Sequence, residues 1–599
     1  MWSTSWQTGI WWRAGTPERS WSTRNTSARD PSSRRCSDPA GESRHTKGLD
    51  VNAIELGDNT LTLEDFLAAT RDRVPARPSA AATARMQESE AWVSAISDRM
   101  RAGETVEPIY SINTGFGSLA GKQAFDSVED AAELSRRLII SNAGGIGRYL
   151  DEEVVRGAMF IRAASLARGH SACRPELLDR LLEMMDKGVL PAVPEFGSLG
   201  ASGDLIPLAH LAIVLTRAAG EDREEESGEA HLNGEIVSGI AAMRDAGIER
   251  IVLGPKEGLA LLNGTSFSTA QSALALADVE TALEAAQITA AMSIEAMCGF
   301  GDAFLPQLHE ARGHAGQIAV AARIRELLAD SEFIDGSEHR DPVRQPPQDA
   351  YSLRCTPQVL GPVKDTLAFA RGIIETEINA ATDNPLVFPE LPDTRTLKAV
   401  SGGNFHAQYV AFASDFIAIG ATEIANIAER RLFRLTDGSL NRGLPEMLVD
   451  SEKVGMDCGY MLPQYLAAAL VSDCKTLAHP DSVDSIPTSA NQEDHVSMAN
   501  NAGRHARQVA SNVQAVIGIE LLLAAQALEL RLQQSGKPRE ALSTASRAAL
   551  DLIRSTPTSD GGHVDFLTQD VVMYPRVRAA IELVRTGALQ RAVAEAETA

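Results

Sequence analysis

Four segments of twenty residues or more, each rich in alanine, leucine and glutamate, constrain the fold most strongly. They cover residues 278–297, 362–382, 407–435 and 505–533. These residue types are strong helix formers, so each segment is predicted to form one long helix. The segments are too apolar to lie alone on a surface, and we expect them to pack together as a large multi-helix bundle. The sequence therefore predicts a mainly α fold, in which only short pieces near 234–238 and 250–254 resemble strands.

Overall charge and cysteine content restrict the partners and the compartment. The 599-residue chain has a formal net charge of −24, which disfavours binding to nucleic acid or to an anionic membrane surface. No run of about 18 uncharged apolar residues is present, so no membrane-spanning helix is expected. The six cysteines are scattered, with no CxxC pair and no cysteine–histidine cluster at metal-site spacing. This pattern predicts free thiols and a cytoplasmic protein.

The first 49 residues differ in composition from the rest of the chain. They hold five of the six tryptophans and eight Lys or Arg against four Asp or Glu. No apolar segment of a signal peptide follows, so residues 1–49 are predicted to be a disordered or spurious extension, with an N-terminal interaction arm as the alternative. The remainder is expected to divide into a loop-rich N-terminal region (50–260), a central long-helix bundle (261–540) and a C-terminal helical region (541–599).

Polar stretches rich in glycine and proline interrupt the predicted helices. There are seven such stretches, among them YSINTGFGSLAG, LLNGTSFS, VSGGNFHAQ and SIPTSANQEDHVSM. A rigid helical scaffold that carries functional groups on its loops is a common way to build an active site. The motifs GxGxxG, GxxxxGK[ST], HExxH and GxSxG are not found, so the sequence supports neither a nucleotide, nor a metal, nor a serine hydrolase triad.

The stretch FGSLGASGDLIPLAH, residues 196–210, places Ala201, Ser202 and Gly203 directly before a helix-like apolar run. Such a cluster of small residues is most often a flexible loop before a helix. A chemical interpretation is also open, because the unhindered nitrogen of Gly203 can attack the carbonyl carbon of Ala201 in a compressed loop. Loss of water would close a five-membered ring. Elimination of the Ser202 hydroxyl would then leave an exocyclic methylidene, an electrophile made from the chain itself.

Seven blocks in order resemble the ammonia-lyases of histidine, phenylalanine and tyrosine. The blocks are YSINTGFG, GSLGASGDLIPLAH, PKEGLALLNGT, QDAYSLRCTPQVLG, DNPLVF, SGGNFHA and SVDSIPTSANQEDHVSM, spread over roughly residues 55–590. In that family the Ala-Ser-Gly tripeptide becomes 4-methylidene-imidazole-5-one (MIO). The resemblance implies MIO as the cofactor, with no metal or nucleotide. It also implies a fumarase/aspartase-like helical architecture and a homotetramer whose active sites are built from three subunits.

The resemblance assigns catalytic roles to residues near the tripeptide. Tyr110 would remove the β-proton of the substrate, although a phenol has an ordinary pKa near 10 and must be induced to act as a base. Asn263 would hydrogen-bond the prosthetic ring or the substrate amine, and its alternative is a helix cap or an Asn-Gly turn. Asp204 would assist ring closure, and its alternative is a cap on the following helix. Without the surrounding block, Tyr110 would be interpreted as a loop aromatic packed on the core.

A second group of residues would hold the substrate. Arg354 would bind its carboxylate through a bidentate fork, with surface arginine as the alternative. Gln348 and Tyr351 lie six and three residues before Arg354, and we expect both beside it. Gln348 would help to hold the carboxylate, and Tyr351 would belong to the catalytic residues. Phe405 would line the pocket near the methylidene, and its alternative is an ordinary core position.

Two positions bear on the choice of substrate. Glu493 stands where the histidine enzymes place a carboxylate toward the imidazole, which it can pair with or accept an N–H from. Ser141 and Asn142 stand where those enzymes show Ser-His, and Asn142 cannot carry a charge. Ser266 is a further departure, since glutamine is expected after Thr265.

These residues predict deamination of L-histidine to trans-urocanate and ammonia. The alternatives are a tyrosine or phenylalanine ammonia-lyase, for which Asn142 speaks, and a 2,3-aminomutase that uses the same prosthetic group. A catalytically inactive helical scaffold is disfavoured, because the tripeptide and Tyr110 are both present.

Overall fold

The computed structural model of the chain describes residues 53–121, 127–334, 347–392, 394–451, 453 and 455–599. The prediction for residues 1–49 falls outside these residues. Residues Val51–Ala599 form one compact unit. The expected division of that unit at residues 260 and 540 stays a prediction about its organisation.

Nineteen α-helices dominate the described residues and confirm the mainly α prediction. They are α1 Leu63–Thr70, α2 Ala80–Arg101, α3 Val128–Asn142, α4 Glu152–Ala167, α5 Pro175–Asp186, α6 Leu205–Leu215, α7 Gly239–Asp245, α8 Glu257–Leu262, α9 Ser266–Ala296, α10 Pro306–Glu310, α11 Ala315–Leu327, α12 Tyr351–Arg354, α13 Thr356–Ile378, α14 Gln408–Thr436, α15 Met461–Leu477, α16 Ala499–Ser535, α17 Thr544–Ser555, α18 Tyr574–Arg585 and α19 Ala588–Thr598.

The strands within the described ranges are short and form five small sheets. They are β1 Ile54–Leu56, β2 Ala76–Pro78, β3 Ile146–Tyr149, β4 Leu190–Pro191, β5 Pro194–Phe196, β6 Thr216–Arg217, β7 Glu229–Leu232, β8 Glu235–Ser238, β9 Ile251–Val252, β10 Leu386–Val387 and β11 Ala399–Val400. Strands β1–β2 and β6–β9 pair in parallel, whereas β3–β5, β10–β11 and the three-stranded β4–β7–β8 sheet are antiparallel. The two strand-like pieces of the sequence correspond to β8 and β9.

The four long predicted segments correspond to α9, α13, α14 and α16, which form the core of the molecule. Helix α16 packs mainly against α9 and α14, and α14 packs against α13. Inside this bundle Arg431 of α14 forms a fully buried ion pair with Glu520 of α16. Thr289 and Ser293 of α9 donate hydrogen bonds to the same carboxylate, which therefore links three core helices. Helix α16 ends at Ser535 and is capped by Gly536, whose φ of 67° is the left-handed conformation common at helix C-termini.

Two helices, α14 and α16, are long and apolar enough to cross a membrane by length and composition alone. Their apolar windows are 72% and 89% buried within the protein, respectively. Burial of this extent is what the core helices of a folded bundle show, because their apolar faces pack against neighbouring helices.

Five cysteines in the described ranges are free thiols.

Candidate active site

The tripeptide lies in a tight loop between β5 and α6. Strand β5 pairs with β3, residues 197–203 form the loop, and α6 begins at Leu205. Gly203 has a φ of +70° and pairs as an isolated parallel bridge with Gly264. A Cβ at Gly203 would lie 2.2 Å from the Gly264 carbonyl oxygen, so no larger residue fits there. The backbones of two distant segments are thus in direct contact at the tripeptide.

Asp204 anchors this loop to the start of α9. Its buried carboxylate accepts hydrogen bonds from the Ser268 backbone N–H at 2.8 Å and from the hydroxyls of Ser268 and Ser198 at 2.7 and 2.8 Å. Burial raises the pKa of Asp204, and these hydrogen bonds oppose the rise. The alternative that Asp204 caps its own helix is wrong, because its side chain makes no capping bond to α6. It satisfies an N-terminal N–H of α9 instead.

Ser202 is held between two of the predicted residues. Its hydroxyl donates to Glu493 Oε1 at 2.5 Å, and its carbonyl oxygen accepts from Asn263 Nδ2 at 2.8 Å. The amide oxygen of Asn263 is buried without a hydrogen-bond partner among the described residues. A buried acceptor of this kind is costly unless a donor arrives, so Asn263 is suited to bind a further group beside Ser202.

The loop that carries Glu493 also positions its side chain. Thr488 and Glu493 form an antiparallel bridge, and the Thr488 hydroxyl donates to Glu493 Oε2 at 2.8 Å. One carboxylate oxygen is therefore fixed by Thr488 while the other faces Ser202. The neighbouring Ser489 accepts a hydrogen bond from the Ser118 N–H at 3.4 Å, which joins this loop to the segment after Tyr110.

Tyr110 lies in the same environment as Glu493. Its hydroxyl accepts a hydrogen bond from the Gly117 N–H at 3.1 Å, and its ring packs edge-on against Phe116. Burial raises the pKa of Tyr110, the bond from Gly117 lowers it, and the negative charges of Glu493 and Asp383 raise it further. The phenol is thus neutral in the free protein at physiological pH.

Ser141 and Asn142 end helix α3 close to the tripeptide loop. The Asn142 amide donates to the Leu138 carbonyl at 2.8 Å, and the Ser141 hydroxyl donates to the same oxygen at 3.1 Å. The chain then continues through Gly145, whose N–H donates to His210 Nε2 of α6 at 3.0 Å, into β3. Because β3 pairs with β5, the end of α3 is tied to the segment that leads into the tripeptide.

The predicted carboxylate-binding group is not joined to Ser202 by any hydrogen bond of the described residues. Tyr351 begins α12 with 70% of its surface exposed, and the Arg354 guanidinium stacks on its ring. Arg354 Nε donates to the Asp349 carbonyl at 2.8 Å, and Gln348 beside it is exposed. Phe405 is half-buried in a loop that reaches the Glu493 loop through the stacked rings of His406 and His495. Within the one chain, Asn263 and Glu493 therefore hydrogen-bond to the tripeptide at Ser202, and the Tyr110 phenol lies within the electrostatic influence of Glu493.

Comparison with known proteins identifies the family. The sequence profile of the aromatic amino acid lyases matches residues 61–555. The chain belongs to this family. A curated histidine ammonia-lyase of Gloeobacter violaceus is 43% identical over 534 residues, which cover 89% of this chain and 96% of the relative.

Solved structures of aromatic amino acid lyase relatives share the fold over most of the chain. A tyrosine aminomutase from Streptomyces globisporus has a TM-score of 0.81 at 33% identity, covering 91% of this chain and 99% of that one. A histidine ammonia-lyase from Trypanosoma cruzi has a TM-score of 0.77 at 34% identity, covering 91% and 96%. The helical architecture predicted from the sequence is thereby confirmed.

Sequence reasoning missed a layer of charged residues behind the tripeptide of this aromatic amino acid lyase. Lys256 and Asp383 form an ion pair at 2.5 Å in which both side chains are fully buried. Arg162 of α4 is also fully buried and bonds to the backbone of Asn263. The available signal was a charged residue inside an apolar segment, such as Arg162 within GAMFIRAASLA, because charged residues are almost never buried without a specific partner.

Proposed function

We propose that this aromatic amino acid lyase converts L-histidine to trans-urocanate and ammonia, using MIO formed from Ala201, Ser202 and Gly203. The observation that carries the proposal is the position of Ser202, whose hydroxyl meets Glu493 and whose carbonyl meets Asn263. This is the function predicted from the sequence. The curated histidine ammonia-lyase relatives support it by their identity over most of the chain.

The residues present fit the prosthetic group. Gly203 lies where only glycine is tolerated, as ring closure through its nitrogen requires. The unpaired amide oxygen of Asn263 is a buried acceptor directly beside Ser202. Once formed, MIO would supply an electrophilic methylidene group beside the amine of the substrate, held by Asn263 and Glu493.

The surrounding side chains would carry the proton transfer and the recognition of the substrate. Because Tyr110 is neutral in the free protein, it would first lose its phenol proton to water, and the resulting tyrosinate would take the proton from the β-carbon of the substrate. The C–H electron pair would form the new double bond, and the amine would leave with the electrons of the C–N bond. Glu493 would accept the N–H of the imidazole, because a carboxylate makes strong charge-assisted hydrogen bonds with such a ring. Asn142 would contribute neutral hydrogen-bonding groups beside it.

A homotetramer would complete the site. Helix α14 exposes Tyr409, Phe412, Phe416 and Ile419 at alternating spacings of three and four residues, the pattern of a helix–helix seam. Phe433, fourteen residues after Ile419, lies on the same face and is also exposed. Phe369 of α13 extends this apolar face, with its ring centroid 5.9 Å from that of Phe416. A face of this size on a single chain indicates a protein partner, and we assign it to further copies of the chain. Those copies would bring Tyr351, Gln348, Arg354 and Phe405 to the tripeptide.

The assembly can be tested separately from the reaction. Phe416→Glu should lower the molar mass measured by light scattering and abolish turnover together, because a charge in an apolar seam is not solvated. Phe416→Leu, which keeps the position apolar, is the matched control and should leave both unchanged. A fully active monomer would contradict the shared active site.

A 2,3-aminomutase or tyrosine lyase is the second candidate. Asn142 favours it because the position lacks the ionisable ring expected of a histidine enzyme, and the tyrosine aminomutase of known structure is 33% identical to the chain. Both reactions would use the same tripeptide, so only the substrate and the product distinguish them.

The deciding experiment is a substrate panel with product identification. Purified protein is incubated with L-histidine, L-tyrosine or L-phenylalanine, and products are separated by liquid chromatography. We expect urocanate from histidine, and no product from a Ser202→Ala variant that remains folded. Turnover of tyrosine or phenylalanine without turnover of histidine would contradict the substrate, and a β-amino acid product would replace the lyase by a mutase.

A further inference from the structure

Arg162 is a fully buried arginine without a salt bridge. None of the described carboxylates lies within 4.0 Å of its guanidinium, and its Nε–H has no hydrogen-bond partner in the same residues. Burial lowers its pKa, opposed by the more distant charges of Asp383 and Asp204. Keeping an unpaired cation inside a protein is costly, so the interactions that the side chain makes there must offset that cost.

The guanidinium holds the segment that contacts the tripeptide. One terminal nitrogen donates to the Asn263 carbonyl oxygen. The other donates to the hydroxyls of Ser165 at 2.7 Å and Thr382 at 3.2 Å. The planar fork of arginine fixes several acceptors in one geometry, which the single ammonium of lysine does not. The carbonyl of Asn263 is therefore held by a buried side chain of α4.

Gly264 is packed between this group and the tripeptide. A Cβ at Gly264 would lie 2.4 Å from the Thr382 hydroxyl oxygen and 2.9 Å from a terminal nitrogen of Arg162. The backbone of Gly264 pairs with Gly203 and accepts a hydrogen bond from the Asp204 N–H at 2.8 Å. Arg162 and Gly203 thus contact the same glycine, and Gly264 has no room to move toward Arg162.

We propose that Arg162 is a positioning residue for MIO formation, which holds Asn263 and Gly264 against Gly203 so that the tripeptide stays compressed for ring closure. The role rests on the proposed function above. Ring closure joins the Gly203 nitrogen to the Ala201 carbonyl carbon, and the carbonyl oxygen leaves as water with the N–H hydrogens of Gly203 and Ser202. The Ser202 hydroxyl then leaves as a second water with the Cα hydrogen of Ser202.

Arg156 of the same helix is a matched control. It is also buried, and it bonds to the backbone carbonyls of Ala69 and Met185 at 2.7 and 2.6 Å. Burial lowers its pKa as it does for Arg162. Neither of its acceptors belongs to a segment that contacts the tripeptide. Replacing Arg156 therefore imposes a similar loss of buried hydrogen bonds without releasing Gly264.

The test measures the intact mass and the thermal midpoint of full-length wild type, Arg162→Lys and Arg156→Lys. Wild type should lack the mass of two water molecules. Arg162→Lys should form MIO about 10²-fold more slowly, because small misplacements of reacting groups have effects of that size. Freshly purified Arg162→Lys should therefore retain both waters. Arg156→Lys should lower the thermal midpoint and still lose both waters.

A milder variant covers the case in which Arg162→Lys does not fold. Ser165→Ala removes the best-placed hydroxyl acceptor of Arg162 and leaves the arginine, so a partial retention of water is expected. The role of Arg162 would be overturned if Arg162→Lys lost both waters at the wild-type rate. If Arg162→Lys does not fold, the same result for Ser165→Ala would overturn it. Equal retention in Arg156→Lys would also overturn it, since the effect would then follow from general destabilisation. Retention of both waters by wild type would overturn the proposed function and this role with it.

Discussion

The contact between Gly203 and Gly264 predicts how costly a single methyl group is at the tripeptide. In Gly203→Ala the added Cβ would lie 2.2 Å from the Gly264 oxygen, so the two backbones must separate by about 1 Å to reach ordinary contact. Gly264 cannot yield easily, because Thr382 and Arg162 occupy the space beside it. The buried hydrogen bond from the Asp204 N–H to Gly264, now 2.8 Å, would break.

The expected loss of stability in Gly203→Ala has two separable contributions. A non-glycine residue in the left-handed region costs roughly 1–2 kcal/mol. A buried donor left unsatisfied adds about 1–3 kcal/mol. The free energy of unfolding should therefore fall by about 2–5 kcal/mol in Gly203→Ala, measured by chemical denaturation at fixed protein concentration.

A second glycine isolates the two contributions. Gly234, in the turn between β7 and β8, also has a positive φ of 85°, and a Cβ there would meet nothing within 4 Å. Gly234→Ala should therefore show only the backbone cost of roughly 1–2 kcal/mol and should still lose two waters. Equal destabilisation by the two substitutions would refute the claim that close packing on Gly264 constrains the tripeptide.

Three further predictions concern buried groups. Lys256→Met should lower the free energy of unfolding by about 3–5 kcal/mol, because Asp383 is left buried and unpaired. Adding Asp383→Asn to Lys256→Met should restore part of that stability. Chemical denaturation of both variants measures the two changes, and no recovery in the double variant would contradict the pairing. The raised pKa of Tyr110 means that its neutral form contributes stability below pH 10, which is lost as pH rises through that pKa. The ultraviolet difference titration of wild type against Tyr110→Phe should show tyrosinate only above pH 10, and ionisation below pH 9 would contradict it. Burial raises the pKa of the Cys173 thiol to about 12 and that of the Cys474 thiol to about 11. The native protein should therefore resist alkylation at both cysteines near pH 7.5, which peptide mapping after labelling measures. Rapid labelling of either thiol would contradict its burial.

The long helices were predictable from composition because α9, α13, α14 and α16 owe their helicity to local propensity and to one shared core. The contacts of Asn263 and Glu493 with Ser202 were anticipated only through the resemblance of their loops to known family blocks. Arg162 was not found, because its role depends on a backbone carbonyl about a hundred residues away in sequence. Thr488 was not found, because its role depends on the rotamer that brings its hydroxyl to Glu493. The capping alternative for Asp204 was wrong because its carboxylate reaches α9, more than sixty residues away in sequence.

The tandem mass spectrum of the proteolytic peptide that contains residues 196–210 tests MIO formation directly. We expect this peptide from wild type to lack two water molecules, with the loss confined to Ala201, Ser202 and Gly203. The same peptide from Ser202→Ala should lack the dehydration that requires the serine hydroxyl. An unmodified Ala-Ser-Gly sequence in a wild-type protein that still deaminates histidine would contradict the central claim.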